Sequence, residues 1–454
     1  MNRKQHQKPV TQVNMALFTD LYELTMLQAY YDEGMTDDAV FSLFVRRLPA
    51  HRNYLLACGL DSVLEYLENL HFTDEDIEYL ESQEKFSQGF LDRLRAFRFT
   101  GDVHAVPEGT PVFANEPILE VKAPIPEAQI AETMIMNQVH LQTVLASKAA
   151  RIVAAAEGRP VVDFGARRMH GTDAALKAAR AFYIAGVDST SNVLAGKIYG
   201  VPISGTMAHS YIQAHDDETA ALRTFADVYP GTVLLVDTYD TLDGVRKVID
   251  LVKNSNAEVS AVRLDSGNLA QLARETRKLL DESGLEDIKI LVSGGLDETE
   301  IGAMVFDNDP VDGFGVGTHM GVSSDAPDLD IAYKLCEYAG TGRLKLSANK
   351  PILPGRKQVY RVAKDDHAVK DIIASADEEA EGRPLLVPVM RDGERLPEGM
   401  TDIESARAHA QQEIARLPEY LRGIAVADPP YTVEVSTTLA RYQESISKEV
   451  ANRR

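Results

Sequence analysis

Between residues 161 and 316 the chain repeats one rhythm: a short apolar strand, a polar loop, then a helix of roughly 10–15 residues. The expected strands are Val161–Phe164, Gly186–Asp188, Val201–Ser204, Val233–Asp237, Ala261–Asp265, Lys289–Ser293 and Gly313–Val316. The expected helices between them are Asp173–Tyr183, Glu218–Val228, Leu242–Val252, Leu269–Leu280 and Glu298–Val305. Such alternation forces parallel pairing, because each helix carries the chain back to the same edge of the sheet. The pattern fits a short or irregular (β/α) barrel; an open doubly wound sheet is the alternative.

The flanking segments read differently. Leu17–Tyr30 is an expected helix with a cap at Thr19 or Asp20, Val40–Val45 alternates like a strand, and Ser62–Leu70 is helical. Residues 103–121 are short β runs broken by Pro and Gly, an antiparallel unit. Pro126 to about Ala156 is one long helical pattern. Beyond Asp330 the β pattern returns at Tyr333–Tyr338, Arg343–Ser347, Gln358–Val362 and Ala368–Ile373. Thr401–Leu417 is then helical, and Tyr431–Val435 precedes a last amphipathic segment. We therefore expect an N-terminal α+β part over 1–150, a barrel over 151–330, and a C-terminal part over 331–454 whose β region completes the N-terminal domain.

Charge narrows the function. The 454 residues include 47 Lys and Arg against 69 Asp and Glu, a net charge of −22. A nucleic-acid binder needs a basic face to displace counterions, and an anionic membrane needs one too. A few arginines in a cleft still suffice for a small anion. The two cysteines, Cys58 and Cys336, are far apart and outside any CxxC pair, which argues against a disulfide framework or thiolate zinc site. The basic N-terminus has no apolar stretch behind it, and the longest apolar runs are strand-length. A soluble cytoplasmic protein is expected.

In a parallel barrel, ligands sit on the loops after the strands. Here those loops are Asp163-Phe-Gly-Ala-Arg167-Arg168, Ser204-Gly-Thr206-Met-Ala-His209-Ser210, Asp237-Thr-Tyr-Asp240-Thr-Leu-Asp243, Arg263-Leu-Asp265-Ser-Gly-Asn268, Ser293-Gly294-Gly295 and Gly317-Thr318-His319. The glycines of the last two let backbone N–H groups approach an anion, and late loops of such barrels often bind phosphate. The competing reading is ordinary tight turns. Neither a dinucleotide fingerprint nor a GxxxxGK[ST] loop is present. Asp237 and Asp240 are candidates for ribose hydroxyls or Mg²⁺, while helix N-terminal acidity and capping explain Asp243. Arg167, Arg168 and Arg263 at strand ends suit an anion. His209 stands between a structural and a chemical role. Arg46, Arg47 and Arg52, and on the other side Lys345, Lys350, Arg356 and Lys357, are further basic clusters or solvated faces.

Eight segments, in order from about residue 15 to 362, carry a resemblance. They are Phe18-Thr-Asp-Leu-Tyr22-Glu-Leu-Thr-Met, Phe44-Val-Arg-Arg-Leu-Pro, Asp163-Phe-Gly-Ala-Arg-Arg, Gly205-Thr-Met-Ala-His-Ser210, Val262-Arg-Leu-Asp-Ser-Gly267, Ser293-Gly-Gly, Gly315-Val-Gly-Thr-His319 and Lys345-Leu-Ser-Ala-Asn-Lys-Pro. Together they resemble the nicotinate phosphoribosyltransferases. The resemblance implies an irregular (β/α) barrel of the type II phosphoribosyltransferase kind, with a second α+β domain built from N- and C-terminal segments. It implies transfer of phosphoribosyl from phosphoribosyl pyrophosphate to nicotinate, coupled to ATP hydrolysis, as a salvage step of NAD synthesis, with Mg²⁺ and a homodimer.

By the same resemblance, His209 is a phosphohistidine and, with Asp265, forms the catalytic pair. Tyr22 packs on the pyridine ring with Phe164 opposite, and Thr206 and Arg263 contact nicotinate. Arg167 belongs to the anion wall, and Gly294, Gly295, Gly317 and Thr318 form the 5′-phosphate cradle. Lys350 and Lys357 face pyrophosphate or ATP. The Mg²⁺ ligands stay open. Nicotinamide phosphoribosyltransferase and a catalytically silent nucleotide-binding barrel are the alternatives.

Overall fold

The computed structural model describes residues 15–255, 257–346 and 352–452. The chain divides into two units, 1–147 with 326–454, and 148–325.

In the first unit, seven antiparallel strands form a sheet in the order Thr341–Gly342, Ile331–Tyr338, Asp38–Val45, Pro117–Pro124, Asp102–Ala105, Val387–Arg391, Glu394–Arg395. Asp38–Val45 is central because its residues are almost all buried, so neither face is left to water. Its neighbour Ile331–Tyr338 comes from the far end of the chain. The core includes Leu27, Leu43, Val121 and Tyr333, and the Tyr333 ring stacks on Phe41 at 4.9 Å. A smaller sheet runs Arg383–Pro384, Lys357–Lys364, His367–Ser375, Val433–Val435. The expected strand at Arg343–Ser347 is not one: pairing stops at Gly342, residues 343–346 are irregular, and Ser347 lies outside the described residues.

The second unit holds six parallel strands in the order Ser189–Thr190, Val161–Asp163, Gly313–Val316, Lys289–Ser293, Val259–Leu264, Thr232–Leu235. Two expected strands differ. Gly186 ends helix Thr172–Ala185 in the left-handed region at φ 114°, so residues 186–188 turn and pairing begins at Ser189. Val201–Ser204 contributes a single bridge, Ile203 to Thr190. The result is a curled, partial barrel. The helices Glu218–Val228, Thr241–Ser255, Leu269–Glu282 and Glu298–Phe306 follow the expected ones closely.

Among the described residues, no helix is long and apolar enough to cross a membrane.

Candidate active site

Asp163 ends its strand fully buried. One carboxylate oxygen accepts the Gly165 N–H at 2.7 Å and the other the Thr190 hydroxyl at 2.7 Å. Both oxygens are thereby used to shape the loop, and burial pushes the carboxyl above its ordinary range. That loop presents the Phe164 ring. Gly315 is needed behind it, because a Cβ there would lie 2.4 Å from the ring.

Arg263 organises the next three loops. Its Nε donates to Ser293 Oγ at 2.8 Å, Nη1 to Thr206 Oγ1 at 2.6 Å and to the Met207 carbonyl at 3.3 Å, and Nη2 to Asp265 Oδ1 at 2.8 Å. Its guanidinium carbon stands 5.3 Å over the Phe164 ring, within cation–π range. A guanidinium has five N–H groups, and these bonds use one on Nε, two on Nη1 and one on Nη2. One Nη2–H remains for a ligand. Asp265 also accepts from Ser293. Burial opposes its ionisation, but the hydrogen bonds from Ser293 and Arg263 outweigh it and hold the carboxyl below its usual range.

His209 opens the short helix His209–Gln213. Its Nδ1 meets Thr238 Oγ1 at 3.1 Å, while Nε2 faces Asp265 Oδ2 at 3.7 Å and Asp237 Oδ1 at 3.9 Å. Asp237 is buried. Its Oδ2 accepts the Asp265 N–H at 3.0 Å and the Ser266 hydroxyl at 2.6 Å, but Oδ1 has no hydrogen-bond partner among the described residues. A buried carboxylate oxygen left without a hydrogen bond next to an imidazole calls for a partner that the protein itself does not supply.

The glycine loops are adjacent because strands Lys289–Ser293 and Gly313–Val316 pair. Gly294 has φ 98° and approaches the Asp265 carbonyl so closely that a Cβ would lie 1.9 Å from that oxygen; Gly295, at φ 67°, borders open space. Gly317 lies beside the Phe164 backbone, and Thr318 opens the helical turn Thr318–Gly321.

The structure thus brings Phe164, Thr206, His209, Arg263, Asp265 and Gly294 together. Arg167 is on an exposed 3₁₀ turn. Tyr22 belongs to the first unit, on helix Leu21–Asp32, with 46 % of its surface exposed. Two expectations are corrected. The cap of helix Thr241–Ser255 is Asp240, which accepts the Asp243 N–H at 2.8 Å, whereas Asp243 pairs with Lys247 at 2.7 Å. Lys357 is not a free cation at a surface: it is buried and ion-paired with Glu120 at 3.0 Å, at the wall of the cavity that Arg46, Arg47 and Arg52 also line. Lys350 lies outside the described residues. Arg46 and Arg47 both reach Asp330 and, with Arg52, line a cavity of about 710 Å³ in the first unit. The roles of Ser293, Thr238 and Ser266 as hydrogen-bonding side chains escape sequence reading, since nothing marks a strand-end serine or threonine as a bridge.

Residues 17–140 match the family of the nicotinate phosphoribosyltransferase N-terminal domain, and 145–334 that of the quinolinate phosphoribosyltransferase C-terminal domain. A nicotinate phosphoribosyltransferase of Mycobacterium tuberculosis is 53 % identical over 423 residues, covering 93 % of this chain and 91 % of its own. One of Bacillus subtilis is 41 % identical over 385 residues, covering 82 % and 79 %. The crystal structure of human nicotinic acid phosphoribosyltransferase superposes with a TM-score of 0.84 at 28 % identity, over 94 % of this chain and 99 % of that one. The sequence match, the fold and the polar cluster at the strand ends converge: this chain belongs to the nicotinate phosphoribosyltransferase family.

Proposed function

We propose that the chain joins nicotinate to phosphoribosyl pyrophosphate, giving nicotinate mononucleotide and pyrophosphate with hydrolysis of ATP. The observation that carries this reading is the Arg263 cluster: one guanidinium ordered by Thr206, Ser293 and Asp265 beside the His209 imidazole. The pyridine nitrogen attacks the anomeric carbon and the pyrophosphate oxygen leaves with the bonding pair. The transition state has oxocarbenium character, as in other glycosyl transfers.

The remaining Arg263 N–H binds the nicotinate carboxylate, and Phe164 covers the ring. Asp265 stays ionised at neutral pH, and its Oδ2, unused by Arg263 or Ser293, stabilises the positive charge developing on the ribose. Ser293–Gly295 and Gly317–Thr318 hold the 5′-phosphate through backbone N–H groups. His209 accepts the γ-phosphoryl group of ATP: a nitrogen lone pair attacks phosphorus and ADP leaves. The roles of Tyr22 and Arg167 rest on the family resemblance, as does a homodimer.

Among the described residues, no group of three or more His, Cys, Asp or Glu could hold a metal by itself. Mg²⁺ needs less, since it is commonly held by one or two carboxylates plus substrate phosphates. Oδ1 of Asp237, which has no hydrogen-bond partner among the described residues, and Oδ2 of Asp265, 3.7 Å from His209 Nε2, fit that donor set. When bound there, the ion would neutralise charge on the leaving pyrophosphate.

The test is product formation from phosphoribosyl pyrophosphate with nicotinate, nicotinamide and quinolinate in turn. Nicotinate mononucleotide should dominate. A preference for either other pyridine, or no product from any, would overturn the reading.

A further inference from the structure

Both glycine loops lead to one buried ammonium. Lys148 lies on helix Glu132–Ala156 with its side chain 1 % exposed. Its Nζ donates to Glu298 and, at 2.8 Å, to Asp325 Oδ1. Glu298 is the first residue of helix Glu298–Phe306, three positions after Gly295. Asp325 closes the segment that follows the helical turn Thr318–Gly321. Arg151, on the same long helix as Lys148, reaches the second Glu298 oxygen at 2.9 Å.

Stability alone does not account for this cluster. Buried ion pairs recover little beyond their desolvation cost, and apolar replacements of similar volume are often as stable. Glu298 is already paired with Arg151 and sits at a helix N-terminus, where a negative charge is favoured. What Lys148 adds is a connection. The paired strands Lys289–Ser293 and Gly313–Val316 fix the near ends of the two loops. Between those ends and the ammonium lie Gly294 and Gly295, both at positive φ, on one side and Gly317 on the other. The two salt bridges of Lys148 fix the far ends.

A cradle made of backbone N–H groups from two loops binds well only at one separation. We infer that Lys148 is a positioning residue: it sets the spacing of the Ser293–Gly295 and Gly317–Thr318 loops and thereby the affinity for the donor's 5′-phosphate. The inference rests on the reading of those loops as the phosphate cradle.

The test compares Lys148→Met, Lys148→Arg, Asp325→Asn and Gly295→Val in the full chain. A misplacement of about 1 Å costs up to roughly 100-fold. Lys148→Met should therefore raise the KM for phosphoribosyl pyrophosphate on the order of 10-fold. It should weaken inhibition by ribose 5-phosphate in proportion. The KM for nicotinate and inhibition by pyrophosphate should change by about twofold at most, since strand pairing and the Arg263 bond hold Ser293 at the near end of its loop. Lys148→Arg should recover most of the loss. Asp325→Asn, which frees one loop and keeps the pair with Glu298, should give a smaller rise in the same KM.

Lys148→Met takes one cationic partner from each of two buried or half-buried carboxylates, so its Tm is measured alongside; if it is not recovered folded, Asp325→Asn carries the test. Equal loss in every constant, or a lowered Tm with an unchanged donor KM, would overturn the inference. An effect of Gly295→Val without one of Lys148→Met would refute the role of Lys148 alone. No effect of Gly295→Val on the donor KM would refute the cradle itself.

Discussion

Thr238 Oγ1 lies 3.1 Å from Nδ1 of His209 and orients the ring so that Nε2 looks toward the Asp237 and Asp265 carboxylates. An imidazole with one nitrogen held and the other left facing the site is an orderly nucleophile. His209→Asn should abolish ATP hydrolysis and ATP stimulation while leaving a slow, ATP-independent transfer, because Arg263 and the glycine loops remain. Labelling with [γ-³²P]ATP and turnover with and without ATP check this. Acid-labile label on the mutant would move the role to another residue, with His170 and His215 the first to examine.

Acid-over-amide selectivity should depend on Arg263. A guanidinium N–H to a carboxylate is a charge-assisted bond that an amide does not match. The wild type should show far lower kcat/KM with nicotinamide than with nicotinate, and Arg263→Ala should raise the nicotinate KM strongly. Arg263→Lys should rescue little. An ammonium has three donors, too few to serve Thr206, Ser293 and Asp265 and still reach substrate. Comparable efficiency of the wild type with both pyridines would count against this assignment.

Neighbouring glycines should respond differently. Gly295→Ala meets open space and suffers only the positive φ, a cost of about 1–2 kcal/mol, yet it intrudes on bound phosphate. Gly294→Ala adds a collision with the Asp265 carbonyl and should cost on the order of 3 kcal/mol or more. Urea melts and the KM for phosphoribosyl pyrophosphate separate the two effects: mainly KM for Gly295, mainly stability for Gly294.

Glu23 should make stability pH-dependent. It is buried on helix Leu21–Asp32, bonded by the Thr19 and Thr133 hydroxyls, and burial raises its carboxyl to about 7. The folded state therefore holds the proton more tightly than the unfolded chain. Its contribution is fully present below the unfolded value, about 4.5, and fades as pH rises through about 7. The loss should be about 1–3 kcal/mol over that window. Glu23→Gln should flatten the slope of urea-derived stability between those limits; an unchanged slope would mean the proton is bound elsewhere.

Some of this was legible in residue order. Lys289–Ser293 and Gly313–Val316 are runs of apolar or small residues bounded by polar turns, and they fold at the expected positions. Glu218–Val228 is likewise where its periodicity puts it. Residues 186–188 look like a strand only if the left-handed cap at Gly186 is overlooked. The helices Asp74–Ser82 and Gln88–Arg95 are too short to show a long apolar period, although Thr73 and Asp76 form a capping box visible in the sequence. The acids at 237, 240 and 243 stand out as a group in the sequence, but which one caps depends on the local turn. Lys357 looked available because charge suggests exposure; only the three-dimensional partner, Glu120, shows that it is buried. The Arg263–Ser293 bond joins residues 30 apart, beyond the reach of any local pattern.

The interleaving of chain ends in the first unit has a consequence for synthesis. Strand Asp38–Val45 finds one neighbour at Pro117–Pro124 but the other only at Ile331–Tyr338. At roughly 5–20 residues per second, the 293 positions from Val45 to Tyr338 take about 15–60 s to emerge. During that interval the parallel unit over 148–325 can collapse on the ribosome while one edge of the older strand waits unpaired. The nascent chain therefore carries an adhesive edge for most of its translation, and its yield in cells should respond to chaperone supply and elongation rate more than its final stability would suggest.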